Sequence, residues 1–389
     1  MDYFSATHPK EFQELLRRLR DASIIAYDTE FISEGRYQPQ LCLVQIATEK
    51  ELALIDPLSV GALEPFWEIL CEPERQVVVH ACRSEMEFCF REIGRMPKNL
   101  FDVQVAAGFV GLDYPTSFRT LVEKTVKIDL PKDETRTQWD KRPLTSRQIS
   151  YALDDVRYLC QIYERLRNRL ETMNRSNWFA AEIGEVKTRL TNDFTTSRWR
   201  SVPKSSSLKP RPLAIVREIW LWRDAKAKKE HIPPGRILRD DLIVELSKRN
   251  SSSPERIKSI RGLQGKEPSV INELSAVIEK ALKLPDSELP AMAERYSYPQ
   301  YAVMTQFLTA ALSSICRQNR IAMPLVGGPS DVREMIAVKL GTLPHGKSPR
   351  LLKGWRAELV GNRLDNLLCG NTAIRLDPTT PEEPLQFLE

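Results

Sequence analysis

Histidine is scarce in this chain: His8, His80, His231 and His345 are its only four, and none is closely paired with another. That argues against a histidine-built zinc or copper centre. The seven cysteines, Cys42, Cys71, Cys82, Cys89, Cys160, Cys316 and Cys369, are scattered and contain no Cys-x-x-Cys pair. Neither a cysteine zinc site nor a disulfide framework is expected, and the thiols should be reduced and mostly buried. Long apolar runs are missing too, none approaching the roughly 20 residues of a membrane span. The start MDYFSATHPKEF lacks the basic and apolar stretches of a secretory signal, so the expectation is a cytoplasmic protein with no membrane partner. If such a chain binds a metal, its ligands are oxygens, which selects Mg²⁺ or Mn²⁺.

What is present is enough chain for two or three domains, 389 residues, since single cores stop growing well before that length. The net charge of +5 is uneven: residues 201–270 hold 16 Lys and Arg against 8 Asp and Glu, leaving the remainder about −3. A basic middle segment is expected to meet a polyanion, nucleic acid first among them. Over the first 175 residues, short aliphatic runs (SIIAYDTEF, LCLVQIA, LALIDP, QVVVHA) alternate with helical patterns near 61–71 and 84–93. This is the signature of an α/β domain with a mixed central sheet and flanking helices. TSRQ at 145–148 reads as a capping box opening a long helix to about 173. Residues 176–207 read as a linker, the Ser-, Pro- and Lys-rich SVPKSSSLKPRP at 201–212 marking its end. Two all-α helical bundles are expected beyond it, at 208–285 and 295–389, divided by LKLPDSELP.

Within this frame the acids stand out. Asp28 and Glu30 in IIAYDTEF lie two apart at the end of a strand, so they share a face. Two carboxylates that close are costly beside a core unless a cation lies between them; the other reading is a strand that has ended in water. On the helix opened by Thr145, Tyr151 and Asp155 are one turn apart and also share a face. Glu85 falls in the first turn of the helix that follows the strand VVVHA. Strand-to-helix transitions are common places for functional side chains.

In this order, with RYQPQLCLVQIA, FDVQVAAGFVG and TRTQWDKRPLTSRQISYALDDVRYL between and around them, the motifs resemble the tyrosine subclass of the DEDD exonucleases. Within that subclass they are most similar to the ribonuclease D family. Separately, REIWLWRDAKAKKEHIPPGRILRDDLIVELSKRNSSSPERIKSIRGL (217–263) resembles the helicase and ribonuclease D C-terminal (HRDC) domain. LLKGWRAELVGNRLDNLLCG (351–370) resembles its more divergent second copy. The resemblance implies a ribonuclease H-like nuclease domain at 1–175 followed by two HRDC-type domains. It also implies hydrolysis of RNA from a free 3′ end to nucleoside 5′-monophosphates, with tRNA precursors among the substrates, by a monomer.

For the site, the resemblance implies two divalent ions, Mg²⁺ or Mn²⁺, held about 4 Å apart by Asp28, Glu30, Glu85 and Asp155. Tyr151 would orient or deprotonate the attacking water, though a phenol of ordinary pKa near 10 is a poor base unaided. One position departs from the family pattern: five residues after the strand histidine, His80, the family has Asp and this chain has Glu85. The longer arm is expected to weaken turnover without abolishing it. Tyr37, Gln40 and Gln45 are candidates for the pocket of the terminal nucleotide, or for strand packing. Arg136 and Trp139 are candidates for phosphate contact and base stacking, or for loop anchoring. In the basic segment Lys226, Lys228, Lys229, Arg236 and Arg239 are the candidates for phosphate contact, while Trp220 and Trp222 read as core. Two other readings remain open at this point: an RNA-binding protein whose catalysis is lost through Glu85, and an exonuclease that prefers DNA.

Overall fold

A computed structural model of the chain describes residues 2–131, 137–292, 299–342, 348–380 and 383–388. The chain forms two compact units: Met1–Glu30, Cys42–Leu190 and Ser297–Glu389 make one, and Phe31–Leu41 with Thr191–Tyr296 the other. Among the described residues no helix is long and apolar enough to cross a membrane.

The first unit is built on a six-stranded mixed sheet of β1 (Phe4–Ala6), β2 (Ile24–Ile32), β3 (Gln40–Ala47), β4 (Leu52–Ile55), β5 (Gln76–Val79) and β6 (Asn99–Asp102), in the order β1-β4-β3-β2-β5-β6. β1 with β4, β2 with β5, and β5 with β6 are parallel; β3 and β4 are antiparallel. The four strands expected from the aliphatic runs are all present. β1 and β6 were not expected; each is only three or four residues long, and pairing with β4 and β5 decides them. Helices cover both faces, as buried β-branched strands require. Alternation along β2 assigns those faces. Tyr27 is fully buried, its ring 6.0 Å from those of Phe66 and Trp67 on the helix Glu64–Leu70. Asp28 points the other way, toward the helix Ser146–Arg157.

That helix opens on the expected capping box: Thr145 Oγ1 accepts from the Gln148 amide at 3.2 Å, and Gln148 Oε1 accepts from the Thr145 amide at 2.9 Å. The single long helix expected to 173 is divided at Tyr158, with a second helix over Leu159–Thr172. The expected linker is corrected more strongly. Ser176–Thr195 is a 20-residue helix whose Phe179, Ile183, Val186 and Leu190 form a buried stripe at helical spacing. Short turns at Trp199–Ser201 and Ser205–Ser207 follow, and Trp199 and Val202 join a hydrophobic core. Serine and proline mark the turns but do not make a free tether.

The C-terminal block is part of the first unit. Arg356, 1% exposed, donates to Glu185 Oε2 at 3.1 Å and to Glu182, and to the Val326 and Leu325 carbonyls at 3.0 Å. Gly108 is required at a close approach: a Cβ there would stand 2.5 Å from Leu325 Cδ1 and 2.9 Å from Tyr114 Cβ. The block departs from the all-α expectation at its end, where β7 (Ala373–Leu376) and β8 (Leu385–Leu388) form an antiparallel ribbon. The second unit is helical, with Pro210–Glu230, Asp240–Arg249, Pro254–Lys258 and Pro268–Leu282 around one apolar core.

Glu182, 3% exposed, faces Arg356, whereas the Glu185 side chain is 53% exposed. Glu182→Ala leaves a buried guanidinium without its main counter-charge and is expected to cost about 3–5 kcal/mol. Glu185→Ala should cost less than about 1 kcal/mol. Denaturant unfolding of the two variants checks the difference, and equal losses would refute the assignment.

Candidate active site

Three segments distant in sequence meet on one face of the sheet. Asp28 of β2, His80 at the end of β5, and Tyr151 and Asp155 of the helix Ser146–Arg157 line one cavity of about 170 Å³, with Phe118 and Leu159 completing its wall. Tyr151 and Asp155 enter side by side because they are one turn apart. Glu30 and Glu85 are outside that lining. Glu85 is 4% exposed, and its Oε1 accepts from Thr29 Oγ1 at 3.0 Å. The carboxyl is thus held on the strand residue between Asp28 and Glu30.

The turn that presents Glu85 is organised by a residue the sequence reading missed. Asp102, at the end of β6, is 2% exposed. It accepts from the amides of Ala81 at 3.1 Å and Cys82 at 2.9 Å, and from that of Gln104 at 2.9 Å. One carboxylate therefore caps the helix Val103–Phe109 and fixes the strained turn, with Ala81 at φ +61°, from which the helix Arg83–Ile93 departs. The available signal was the Asp ahead of the helical run VQVAAGF. His80 is packed and hydrogen-bonded, as expected: its Nε2 lies 3.0 Å from the Thr116 carbonyl and its ring 5.6 Å from that of Phe118. Burial holds its pKa below the ordinary value.

The electrostatics are those of acids deprived of water. Burial raises the Asp28 carboxyl to about 6, against the opposing pull of hydrogen bonds from the Thr29 amide and Glu85. Burial, and then the charge of Asp28, raise Glu30 to about 8. Glu85 is pushed well up by burial and then by Asp28, although the Thr29 hydroxyl favours its ionised form. Among the described residues no three His, Cys, Asp or Glu side chains close into a metal cage. The donor set nevertheless fits a hard divalent cation: carboxylate oxygens and a phenol, with neighbouring acids that resist ionising beside one another.

The other candidates fall into several environments. Trp139 is 6% exposed, with its ring 6.1 Å from that of Tyr151. Arg142 bonds the Trp139 carbonyl at 2.7 Å, the Cys42 carbonyl at 2.7 Å and Asp56 at 2.8 Å, which fixes this loop to β3 and β4. Trp139 is therefore packed beside Tyr151. Gln45 is fully buried on β3, and neither amide atom has a partner among the described residues. Gln40 is half-buried at the start of β3. Tyr37 packs against the core of the second unit and donates to Asp224 Oδ1 at 2.9 Å. Arg136 lies outside the described residues.

In the basic segment Lys226 pairs with Glu273 at 2.9 Å and lies 5.5 Å from the centre of the Trp222 ring. Arg239 forks onto Asp241 at 2.7 and 3.0 Å. Lys228, Lys229 and Arg236 are exposed. Trp220 and Trp222 pack against the helical core, as expected.

Known proteins resemble this chain over most of its length. Residues 3–171 match the 3′–5′ exonuclease family, and residues 213–268 the HRDC domain. The ribonuclease D of Pseudomonas paraeruginosa is 32% identical over 361 residues, covering 90% of this chain and 94% of the relative. That of Escherichia coli is 30% identical over 374 residues, covering 95% of this chain and 99% of the relative. The crystal structure of the E. coli enzyme, described as an exoribonuclease involved in structured RNA processing, matches with a TM-score of 0.81 at 28% identity. That match covers 95% of this chain and 99% of the other. The nuclease domain is thus of the ribonuclease H-like DEDD type, a type that works with divalent metal ions, and one HRDC domain accompanies it. The chain belongs to the ribonuclease D family of 3′–5′ exoribonucleases.

Proposed function

We propose that this exoribonuclease trims the 3′ ends of structured RNAs, tRNA precursors among them, with two Mg²⁺ or Mn²⁺ ions held by Asp28, Glu30, Glu85 and Asp155. The observation that carries the reading is the convergence of Asp28, Tyr151 and Asp155 on one cavity from separate elements. Bound there, divalent ions supply Lewis-acid polarisation of the scissile phosphate and a water of lowered pKa. The protein's own groups do the rest. Tyr151 directs its phenol into the cavity beside Asp155 and orients the attacking water. Trp139 and the Arg142–Asp56 pair behind it keep Tyr151 in place. Asp102 fixes the turn that aims Glu85, and the Glu85 carboxylate reaches the site by leaving Thr29.

In the helical unit Lys228, Lys229 and Arg236 are the first-choice phosphate contacts, because their charges are exposed; Lys226 and Arg239 would exchange a carboxylate for a phosphate. Gln40, half-buried at the start of β3, is the candidate for the terminal nucleotide, with Gln45 buried farther along the same strand, and Arg136 is the candidate for its phosphate. We assign the C-terminal block as a second, divergent HRDC-type domain and the protein as a cytoplasmic monomer. Seven free cysteines are in keeping with a reducing compartment.

The direct test uses a 5′-labelled RNA with a single-stranded 3′ end. Mg²⁺ or Mn²⁺ should give a ladder shortening from that end, and chelator or Asp28→Ala should abolish it. Intact RNA throughout, with only a salt-sensitive mobility shift, would refute catalysis. A matched DNA oligonucleotide should be trimmed more slowly.

Glu85→Asp is expected to raise kcat, by several-fold up to the order of a hundredfold that about 1 Å of misplacement costs. Unchanged or lower turnover would show that the longer arm is no handicap.

The raised carboxyls also predict a pH dependence of stability without metal. A group whose folded pKa lies above its unfolded value binds its proton more tightly when folded. Its stabilisation is complete below the unfolded pKa, near 4, and is lost as pH rises through the folded values of about 6 for Asp28 and about 8 for Glu30. The melting temperature of metal-free protein should therefore fall between about pH 5 and 9, and added Mn²⁺ should restore it most at the alkaline end. Glu30→Gln should flatten both trends. A profile the same as the parent's would sink the idea.

A further inference from the structure

We propose that Cys71 and Cys89 form a redox-sensitive dithiol whose oxidation to a disulfide displaces the helix carrying Glu85 and switches the nuclease off. Nothing in the hydrolytic reaction uses these thiols, yet their sulfurs are 3.9 Å apart, with no other atom needed between them. Cys71 closes the helix Glu64–Leu70 and is partly exposed; Cys89 is fully buried in the helix Arg83–Ile93.

Their surroundings divide the roles. The Cys89 thiol donates to the Arg95 carbonyl at 3.4 Å, and Lys187 is held nearby by the carbonyls of Pro97 at 2.7 Å and Lys98 at 3.2 Å. The sulfur contact with Cys89 and, against burial, the Lys187 ammonium hold the Cys71 thiol below its ordinary pKa, while the same contact and burial push Cys89 far up. Cys71 is therefore the accessible nucleophile and Cys89 the resolving thiol.

With hydrogen peroxide as oxidant the step balances. The Cys71 thiolate attacks one peroxide oxygen; an S–O bond forms, the O–O bond breaks, and the departing hydroxide takes a proton to become water. Cys89 then attacks the Cys71 sulfenic acid through sulfur. The S–S bond forms, the S–O bond breaks, and the leaving oxygen departs as a second water with the Cys89 proton. Two thiols are oxidised and one peroxide is reduced, and a dithiol reductant reverses the exchange.

The mechanical consequence follows from bond length. An S–S bond is about 2.05 Å, so sulfurs now 3.9 Å apart must approach by nearly half that separation. Cys89 is fully buried in the helix Arg83–Ile93, so part of the approach is carried by that helix. Glu85 is one turn earlier on the same face of that helix, and a catalytic constellation tolerates only about 0.5 Å. This last link rests on the proposed role of Glu85.

The test treats full-length reduced protein with hydrogen peroxide, maps thiols by mass spectrometry of a non-reduced digest, and follows trimming of the labelled RNA. A Cys71–Cys89 linked peptide should form, trimming should fall on the order of ten- to a hundredfold, and dithiothreitol should restore it. Cys89→Ser should halt at a Cys71 sulfenic acid, trapped by a cyclic 1,3-diketone, and keep its activity; Cys89→Ala serves if serine disturbs folding. Oxidation without the linked peptide, a linked peptide with unchanged trimming, or equal inactivation of Cys71→Ser would each overturn the proposal. If the reduced protein trims no RNA, the proposed function fails separately. The linked peptide, and faster hydrogen exchange over 83–93 on oxidation, then decide the dithiol.

Discussion

Carboxyl groups withdrawn from water beside a packed sheet are the constraint around which the first unit is arranged. Asp28 and Glu30 share a face of β2, and Glu85 reaches the strand residue between them. In an apolar setting without a cation, that many negative charges cannot coexist, and the carboxyls hold their protons to higher pH. The same crowding would be relieved by a hard cation between the carboxylates. Site and cost are one arrangement, and the framework must be stable enough to maintain it.

The framework does so with buried polar bonds as well as apolar area. Asp102 joins the end of β6 to the turn after β5, and Arg142 joins the Trp139 loop to two strands. Arg356 fixes the C-terminal block to the helix Ser176–Thr195. Arg175 adds to this, donating to the carbonyls of Phe109 at 2.6 Å and Arg320 at 2.9 Å. In each case a charged group saturates backbone donors or acceptors that would otherwise be buried unpaired, so removing it exposes several debts of hydration together.

Much of the fold was legible because its signals are local. The aliphatic runs, the capping box at Thr145 and the face shared by Tyr151 and Asp155 depend on spacing within a dozen residues. The misreadings came from places where spacing is outweighed. β6 is too short to announce itself, and exists because β5 offers an edge. The supposed linker is helical because the stripe from Phe179 to Leu190 has a surface to bury against. Tyr37 was open between the pocket of the terminal nucleotide and strand packing, and a contact no local pattern shows, its hydroxyl on Asp224, ties it to the helical unit.

The sequence by itself determined the chemistry available: oxygen ligands in place of histidine or thiol, a phenol one turn from a carboxylate, and a glutamate where the family pattern has aspartate. It did so because residue type and short-range periodicity fix which atoms exist and which share a face. Only the tertiary structure decided how they are used. It brought Asp28 to Asp155, turned Glu85 onto Thr29, buried Trp139 beside Tyr151 and set Cys71 against Cys89. Those contacts join residues far apart in the chain, and they are set by how sheet and helices fill space against one another, which no local pattern encodes.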